Sequence, residues 1–306
     1  MAYRRKHSIP FALSRTMPGF GSLMILLSAA GFGSMALFAR WAYADGASPG
    51  TVVFLRFAVG ALLLAGWLAV RRIALPRGRA LRGYLGLGAL YALTAWSFFS
   101  ALRHTGSGIA ALLLYTYPIF VAVIASSLGL DRFGRRELLA LLLSAAGLLL
   151  ALGGQLSGFN PAGTAYALTA ALVYATYVVG GGMLRQSDDS SPLAAACVIL
   201  LAAALGNGLA SGLGGFSFPQ GPRGWLACIA IGVFGAALAI AAFLAGLARI
   251  GPTRAALLST LEPLITILLG LAFLDEHLSL LQGLGAAGIL GAALLLTLPA
   301  NKATAA

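Results

Sequence analysis

The chain has 306 residues, 60% hydrophobic and 9% charged, with a formal net charge of +12 and a mean hydropathy of +0.93. An ordinary soluble domain carries about 25% charged residues, so a water-soluble enzyme of this size is excluded because it could not cover its surface. Intrinsic disorder needs low hydrophobicity and high charge, and the same figures exclude it. What remains is an all-α integral membrane protein, and the 40 glycines suit that class because helices in lipid pack through small residues.

A bilayer core takes about 20 apolar residues per helix. Runs bounded by charge, Pro or Gly predict ten spans: Phe20–Tyr43, Gly50–Val70, Gly83–Leu102, Ser107–Leu130, Gly134–Gly154, Ala162–Leu184, Pro192–Leu213, Gly224–Ala248, Pro252–Leu274 and Ser279–Pro299. No segment between them is long enough for a soluble domain. The first span follows Arg4, Arg5, Lys6 and Arg15 and ends at Ala42-Tyr43-Ala44, which imitates a signal peptide with its cleavage site. Its apolar run is too long for that and nine spans follow, so it reads as a retained helix.

With the N-terminus in the cytoplasm, 16 of the 20 Lys and Arg residues fall on the cytoplasmic side, including Arg71, Arg72, Arg77, Arg79 and Arg82 in one loop. Arg40, Arg103 and Arg223 fall opposite, and Arg56 lies within a span. This positive-inside asymmetry places both termini in the cytoplasm and accounts for the net charge without a nucleic-acid partner.

The two halves of the chain match without a gap over their later portions. Gly106 pairs with Gly251, Ala110-Ala111-Leu112-Leu113 with Ala255-Ala256-Leu257-Leu258, Pro118 with Pro263 and Asp131 with Glu276, each pair 145 positions apart. Earlier portions match more loosely, as at Ser48-Pro49 and Ser191-Pro192. The expected units are residues 1–154 and 155–306. Five spans per unit is an odd number, so the second unit enters the bilayer from the opposite side. The fold class is therefore ten transmembrane helices as two inverted-topology five-helix repeats. That architecture accompanies alternating-access transport, with the substrate near the midplane between the repeats.

Leu261-Glu262-Pro263-Leu264 through Leu274-Asp275-Glu276, its partner Tyr117-Pro118 through Asp131, and Phe54-Leu55-Arg56-Phe57 in the second span carry a family resemblance. Over essentially its whole length the chain resembles the EamA-type permeases of the drug/metabolite transporter superfamily, and within them the exporters of neutral and aromatic amino acids. The resemblance implies a bacterial-type inner-membrane carrier moving small metabolites outward, without a cofactor. The first repeat departs from the pattern, since Tyr117 stands where the second has Glu262.

Pro118 and Pro263 are the two prolines deep inside spans. Each removes a backbone donor and frees a carbonyl one turn earlier, at Leu114 and Ser259. The kinks serve either packing or the bending of helices that gate a pathway. Glu262 lies about 15 Å into its helix, where an ionisable group costs several kcal/mol unless it faces a partner or water. Proton uptake, recognition of an ammonium group and plain hydrogen-bond acceptance are all open to it. Arg56, about 9 Å from its helix end, either snorkels, braces a neighbouring helix or anchors a carboxylate. An Arg56–Glu262 pair would have to cover a difference in depth of several ångströms.

Tyr91, Tyr115, Tyr117, Tyr174 and Tyr177 lie well inside spans, away from the interfacial belt where Trp41, Tyr43, Tyr84 and Trp225 are expected. Buried tyrosines need hydrogen-bond partners, so several at mid-depth point to a polar cavity. Tyr84, Tyr91 and Phe98 recur every seven residues on one helix face, a stripe that serves packing or ligand contact. With Trp96, Ser34, Asn207 and Phe234, these residues would line an amphipathic pocket for a zwitterion, in which rings face an ammonium group.

Other signals are negative. Gly31-Phe32-Gly33 with Ala36 imitates a dinucleotide fingerprint but sits in a transmembrane helix with no strand before it. His7, His104 and His277 are scattered, Cys197 and Cys228 lie in apolar stretches as inert thiols, and no metal site is expected. Ser187-Asp188-Asp189-Ser190 reads as a solvated loop, and Gly283, Ala287 and Gly291 form a small-residue ridge that packs internally in a monomer or pairs two subunits of a homodimer. The expected partners are a small-molecule substrate and the lipid bilayer. Efflux of lipophilic cations, with Glu262 as counter-ion, is the alternative function, and an integral-membrane enzyme lacks any recognisable nucleophile, metal set or acid–base pair.

Overall fold

The computed structural model describes residues 18–131, 134–151, 160–273 and 279–297. Helices α1 (Pro18–Gly33) and α2 (Met35–Ala44) make the first span, α3 (Pro49–Arg71) the second and α4 (Gly78–His104) the third. The fourth is α5 (Ser107–Leu114) with α6 (Tyr117–Ser127), the fifth α7 (Arg135–Ala151), the sixth α8 (Pro161–Ser187) and the seventh α9 (Pro192–Gly214). The eighth joins α10 (Pro222–Gly232) to α11 (Ala239–Ile250) through a π-helical segment, Val233–Leu238. The ninth is α12 (Pro252–Ser259) with α13 (Glu262–Phe273), and the tenth α14 (Leu280–Thr297). Among the described residues nine of these spans are long and apolar enough to cross a membrane. The fifth has 17 described residues, and the end expected for it at Gly154 lies outside them. So do Arg4, Arg5, Lys6, His7, Arg15, Arg132, Leu274, Asp275, Glu276, His277 and Lys302.

Spans 1, 2, 6 and 8 start one or two residues earlier than the apolar runs suggest, at Pro18, Pro49, Pro161 and Pro222, because proline fits the first turn, where no intrahelical donor is needed. The Ser48 hydroxyl accepts from Thr51 N at 3.3 Å ahead of Pro49, and Asn160 Oδ1 accepts from Ala162 N at 2.9 Å ahead of Pro161. Four spans are interrupted, the fourth and ninth where kinks are expected at Pro118 and Pro263, and the first and eighth with no proline to mark them. The first breaks at Ser34, whose hydroxyl donates back to Gly31 O at 2.8 Å. The fourth and ninth break just before Pro118 and Pro263, and Thr116 and Thr260 donate their hydroxyls to the carbonyls of Leu113 and Leu257, both at 2.6 Å. These carbonyls at a helix break thus find side-chain donors within the bundle, as a membrane interior requires.

Helices of the first half pack on helices of the second in a pattern that survives exchange of the halves. α3 lies on α9 and α7 on α14, while α1 against α11 has its counterpart in α4 against α8. Near the start of α9, Ala194–Leu200 is buried all round the helix circumference. Leu280, Leu284 and Leu294 of α14 are exposed, as a lipid-facing surface demands. Cys197 and Cys228 are buried free thiols.

The α7–α14 contact uses Gly147, Gly285, Gly288 and Ile289, and of the ridge Gly283, Ala287 and Gly291 read from the sequence Gly291 joins it, since a Cβ there would stand 3.3 Å from Leu143 Cδ2. The packed face is rotated because Gly285 brings the two backbones together: a Cβ there would stand 2.3 Å from Ala151 N and 2.5 Å from Gly147 O. Ala287 is exposed. Overpacking of this kind costs about 1–3 kcal/mol, so Gly285→Val is expected to lower the thermal midpoint in detergent measurably. Gly66→Ala, whose Cβ meets nothing within 4 Å, is expected to leave it unchanged or slightly raised. Equal midpoints for the two variants would show that α7 and α14 do not depend on this contact.

Candidate functional site

A cavity of about 390 Å³ lies among spans 1 to 4, 6, 8 and 9. Tyr43, Val52, Phe98, Phe99 and Ala111 line it near one end of the bundle, close to the ends of α2, α3, α4 and α5. Arg56, Tyr91, Tyr117, Tyr174 and Glu262 line its deep part. No lining residue comes from the loops at the other end, 72–77 and 188–191.

Aromatic rings close the cavity floor. Tyr91 stacks on Tyr177 with centroids 5.1 Å apart, Tyr177 stacks on Tyr174 at 5.6 Å, and Tyr117 meets Tyr174 edge-on at 4.7 Å. Tyr177 is buried behind the lining, with Phe243 beyond it at 6.4 Å. The Tyr117 hydroxyl donates to Ala256 O at 3.1 Å, tying the fourth span to the ninth.

Arg56 does not snorkel. Its Nε donates to Gly235 O at 3.2 Å and its Nη2 to the Tyr91 hydroxyl at 2.7 Å. The guanidinium sits 4.9 Å from the Phe57 ring centroid, 5.6 Å from that of Tyr91 and 5.7 Å from that of Phe32. Such cation–π contacts strengthen when desolvated. Glu262 begins α13 at the break and lines the cavity together with Tyr115. Among the described residues no ion pair within 4.0 Å joins Arg56 to Glu262; the two charges share the cavity instead of closing on each other.

Of the residues expected in the pocket, Tyr91, Phe98, Tyr115, Tyr117, Tyr174, Arg56 and Glu262 line it, and Tyr177 backs it. Trp96 does not: it is 49% exposed on the outer face of α4, edge-on to Tyr166, because it lies five residues from Tyr91 and so on the other side of the helix. Phe234 is likewise 49% exposed and stacks on Phe38. The Asn207 side chain is spent on Ala203 O at 3.0 Å, and that of Ser34 on the break in span 1. Pro118 lies off both cavities, and Pro263 lines a separate cavity of about 50 Å³ with Tyr115, Thr116, Ser144 and Thr260.

Sequence reading missed Phe32, Met35, Thr94 and Thr266. Two were within reach by helical spacing, Thr94 three residues after Tyr91 and Thr266 four after Glu262. Gly31-Phe32-Gly33 is a close-packing device: a Cβ on Gly33 would stand 2.7 Å from Glu262 O, and Thr266 Oγ1 donates to Gly33 O at 3.0 Å.

The end opposite the cavity mouth is tied by polar contacts. Asp131 accepts from Thr253 N at 2.9 Å and so caps α12. Glu137 accepts from Arg254 at 3.2 and 3.4 Å and from Gly134 N at 3.1 Å. Tyr84, expected in the interfacial belt, is fully buried here, because the 27-residue α4 carries its first turns into the loop layer. Its hydroxyl donates to Asp188 at 2.9 Å and accepts from Arg185 at 3.3 Å. Asp188 therefore belongs to a built cluster rather than a solvated loop, and Ser190 also donates to it.

Burial pushes the Asp188 carboxyl up, but hydrogen bonds from Ser190 and Tyr84 and the Arg185 charge outweigh it and hold the pKa below the usual carboxylate value. A lowered folded-state pKa gives stability that is present above the unfolded value and lost as pH falls through the folded one. Asp188→Asn is thus expected to lower the thermal midpoint at pH 7, with the gap to wild type closing as pH falls below about 4. A gap independent of pH would mean that the charge contributes nothing.

Helices that cross a membrane, several of them broken, around a small-molecule-sized cavity with polar and charged lining define a polytopic transporter. The chain belongs to the EamA-like transporter family, whose model matches residues 19–153 and again 161–298. It is 32% identical over 278 residues to an uncharacterized transporter of Archaeoglobus fulgidus, covering 90% of this chain and 96% of that one. It is 30% identical over 285 residues to the uncharacterized transporter YcbK of Bacillus subtilis, covering 88% and 90%. The uncharacterized inner membrane transporter YedA of Escherichia coli K12 is 27% identical over 248 residues, 79% of each chain. A solved crystal structure shares the fold, with a TM-score of 0.80 at 21% identity over 90% of this chain and 96% of that one.

Proposed function

We propose that this transporter is an alternating-access carrier that exports small zwitterionic metabolites, chiefly neutral and aromatic amino acids, across an inner membrane. The observation that carries this reading is the cavity in which Arg56 and Glu262 stand apart among aromatic rings. Arg56 suits a carboxylate, Glu262 an ammonium group and the rings an apolar side chain. A lipophilic cation fits less well, since Arg56 on the same wall repels it.

The two family units are read as inverted repeats. In support, the interhelical contacts keep their pattern when the halves are exchanged, and equivalent spans break at positions 145 residues apart, before Pro118 and Pro263. The basic residues put the loops at 72–77 and 188–191 in the cytoplasm together with both termini. The cavity mouth then faces outward, and the Asp131, Glu137–Arg254 and Asp188 clusters form the closed cytoplasmic side. Export needs that side to open while the mouth closes, and the broken spans are where helices bend.

Protein reconstituted in liposomes, preloaded with unlabelled amino acid, is expected to accumulate labelled phenylalanine or leucine saturably. A hydrogen bond to a charged group is worth about 1.5–3 kcal/mol, so Glu262→Gln and Arg56→Gln are each expected to cut exchange about tenfold or more. Undiminished flux in both variants, or flux of lipophilic cations alone, would overturn the reading.

A further inference from the structure

The π-helical segment Val233–Leu238 of the eighth span is the one turn of its kind among the described residues. Turns of this type are rare and concentrate at functional sites. Two contacts fix it against the first span. A Cβ on Gly235 would stand 2.5 Å from Met35 Cγ, and a Cβ on Gly31 2.4 Å from Phe234 O. Met35 lines the cavity at the start of α2, so the widened turn meets the break in span 1 at the cavity wall. The third contact is the Arg56 Nε bond to Gly235 O.

Nε and Nη2 form the side-on fork of a guanidinium, the edge that grips a carboxylate with two parallel bonds. In Arg56 that edge holds two neutral oxygens, Gly235 O and the Tyr91 hydroxyl. They stand where the two oxygens of a carboxylate would. Phe32, Phe57 and Tyr91 keep the guanidinium in place through their ring faces whichever acceptor it holds.

We propose that Arg56 is an exchangeable latch: the substrate's carboxylate replaces Gly235 O on the fork and thereby unpins the π-turn, letting α10 and α11 move relative to each other. The proposal rests on the carrier reading above and deepens it, placing the carboxylate on Arg56 and giving its arrival a mechanical consequence in the eighth span. Charge-assisted hydrogen bonds are roughly twice as strong as neutral ones, so the carboxylate displaces the carbonyl. A ligand shifts an equilibrium only by its differential affinity for the two states. Here the difference is supplied by a fork that is free in one state and occupied by Gly235 in the other. An amine of the same shape without the carboxylate binds without turning the latch.

Hydrogen–deuterium exchange on the full chain in nanodiscs, read at residues 233–239, tests this, with α7 and α14 as controls for general loosening. Without ligand, R56K keeps the charge but lacks the fork, and is expected to exchange there about tenfold faster than wild type. R56Q serves the same purpose should R56K fold poorly. Saturating L-phenylalanine is expected to accelerate wild type to a similar extent and R56K no further, whereas phenethylamine leaves wild type unchanged. Exchange in both variants equal to wild type would abolish the latch. Equal effects of L-phenylalanine and phenethylamine, or no effect of transported L-phenylalanine, would remove the carboxylate as its trigger. Failure of the carrier reading is distinguishable, because it shows as absent liposome flux while the unliganded comparison of R56K with wild type still reports on the pin.

Discussion

A guanidinium and a carboxylate inside a bundle of membrane helices must be given partners or water, and the rest of this structure follows from how that is done. Arg56 is held by one backbone carbonyl, one phenol and three ring faces. Glu262 lies at a helix break and lines the cavity with Tyr115. Neither neutralises the other. Direct pairing would remove both charges from the cavity at once, whereas separate retention keeps two poles available to a ligand. The desolvation penalty of a buried charge is several kcal/mol, which accounts for the density of aromatic and hydroxyl groups around them.

The broken helices belong to the same solution. A continuous helix offers no spare polar groups to its surroundings, and these spans are opened where the cavity needs them. The breaks in spans 4 and 9 precede Pro118 and Pro263, and Thr116 and Thr260 satisfy carbonyls close by. Span 1 breaks beside Phe32 and Met35, and span 8 widens at Gly235. All four irregularities adjoin the polar centre, while α7 and α14, remote from it, are regular.

Much of this was legible in the chain. Charge scarcity and apolar run lengths specify the class and the spans, because the bilayer demands a fixed length of apolar helix. The five mid-depth tyrosines stood out since phenols seldom lie deep in a helix facing lipid, and four of them line the cavity. Trp96 and Phe234 misled because aromaticity alone does not say which way a side chain points, and lipid accepts what water would reject. The break at Ser34 and the π-turn left no mark, since both depend on close contact with a distant helix, Gly31 against Phe234 and Gly235 against Met35. Asp188 was missed because its partners, Tyr84 and Arg185, meet only once α4 and α8 are packed.

In the proposed transport cycle, one cavity serves both faces of the membrane in turn. Thr94 lines that cavity, and Cys197 and Cys228 are buried. Thr94→Cys, in a background with both native cysteines replaced, can be probed with a membrane-impermeant thiol reagent applied to either face of sealed vesicles. The expected result is labelling from the outer face at rest and from the cytoplasmic face as well once amino acid drives cycling. Labelling confined to a single face under every condition would contradict it.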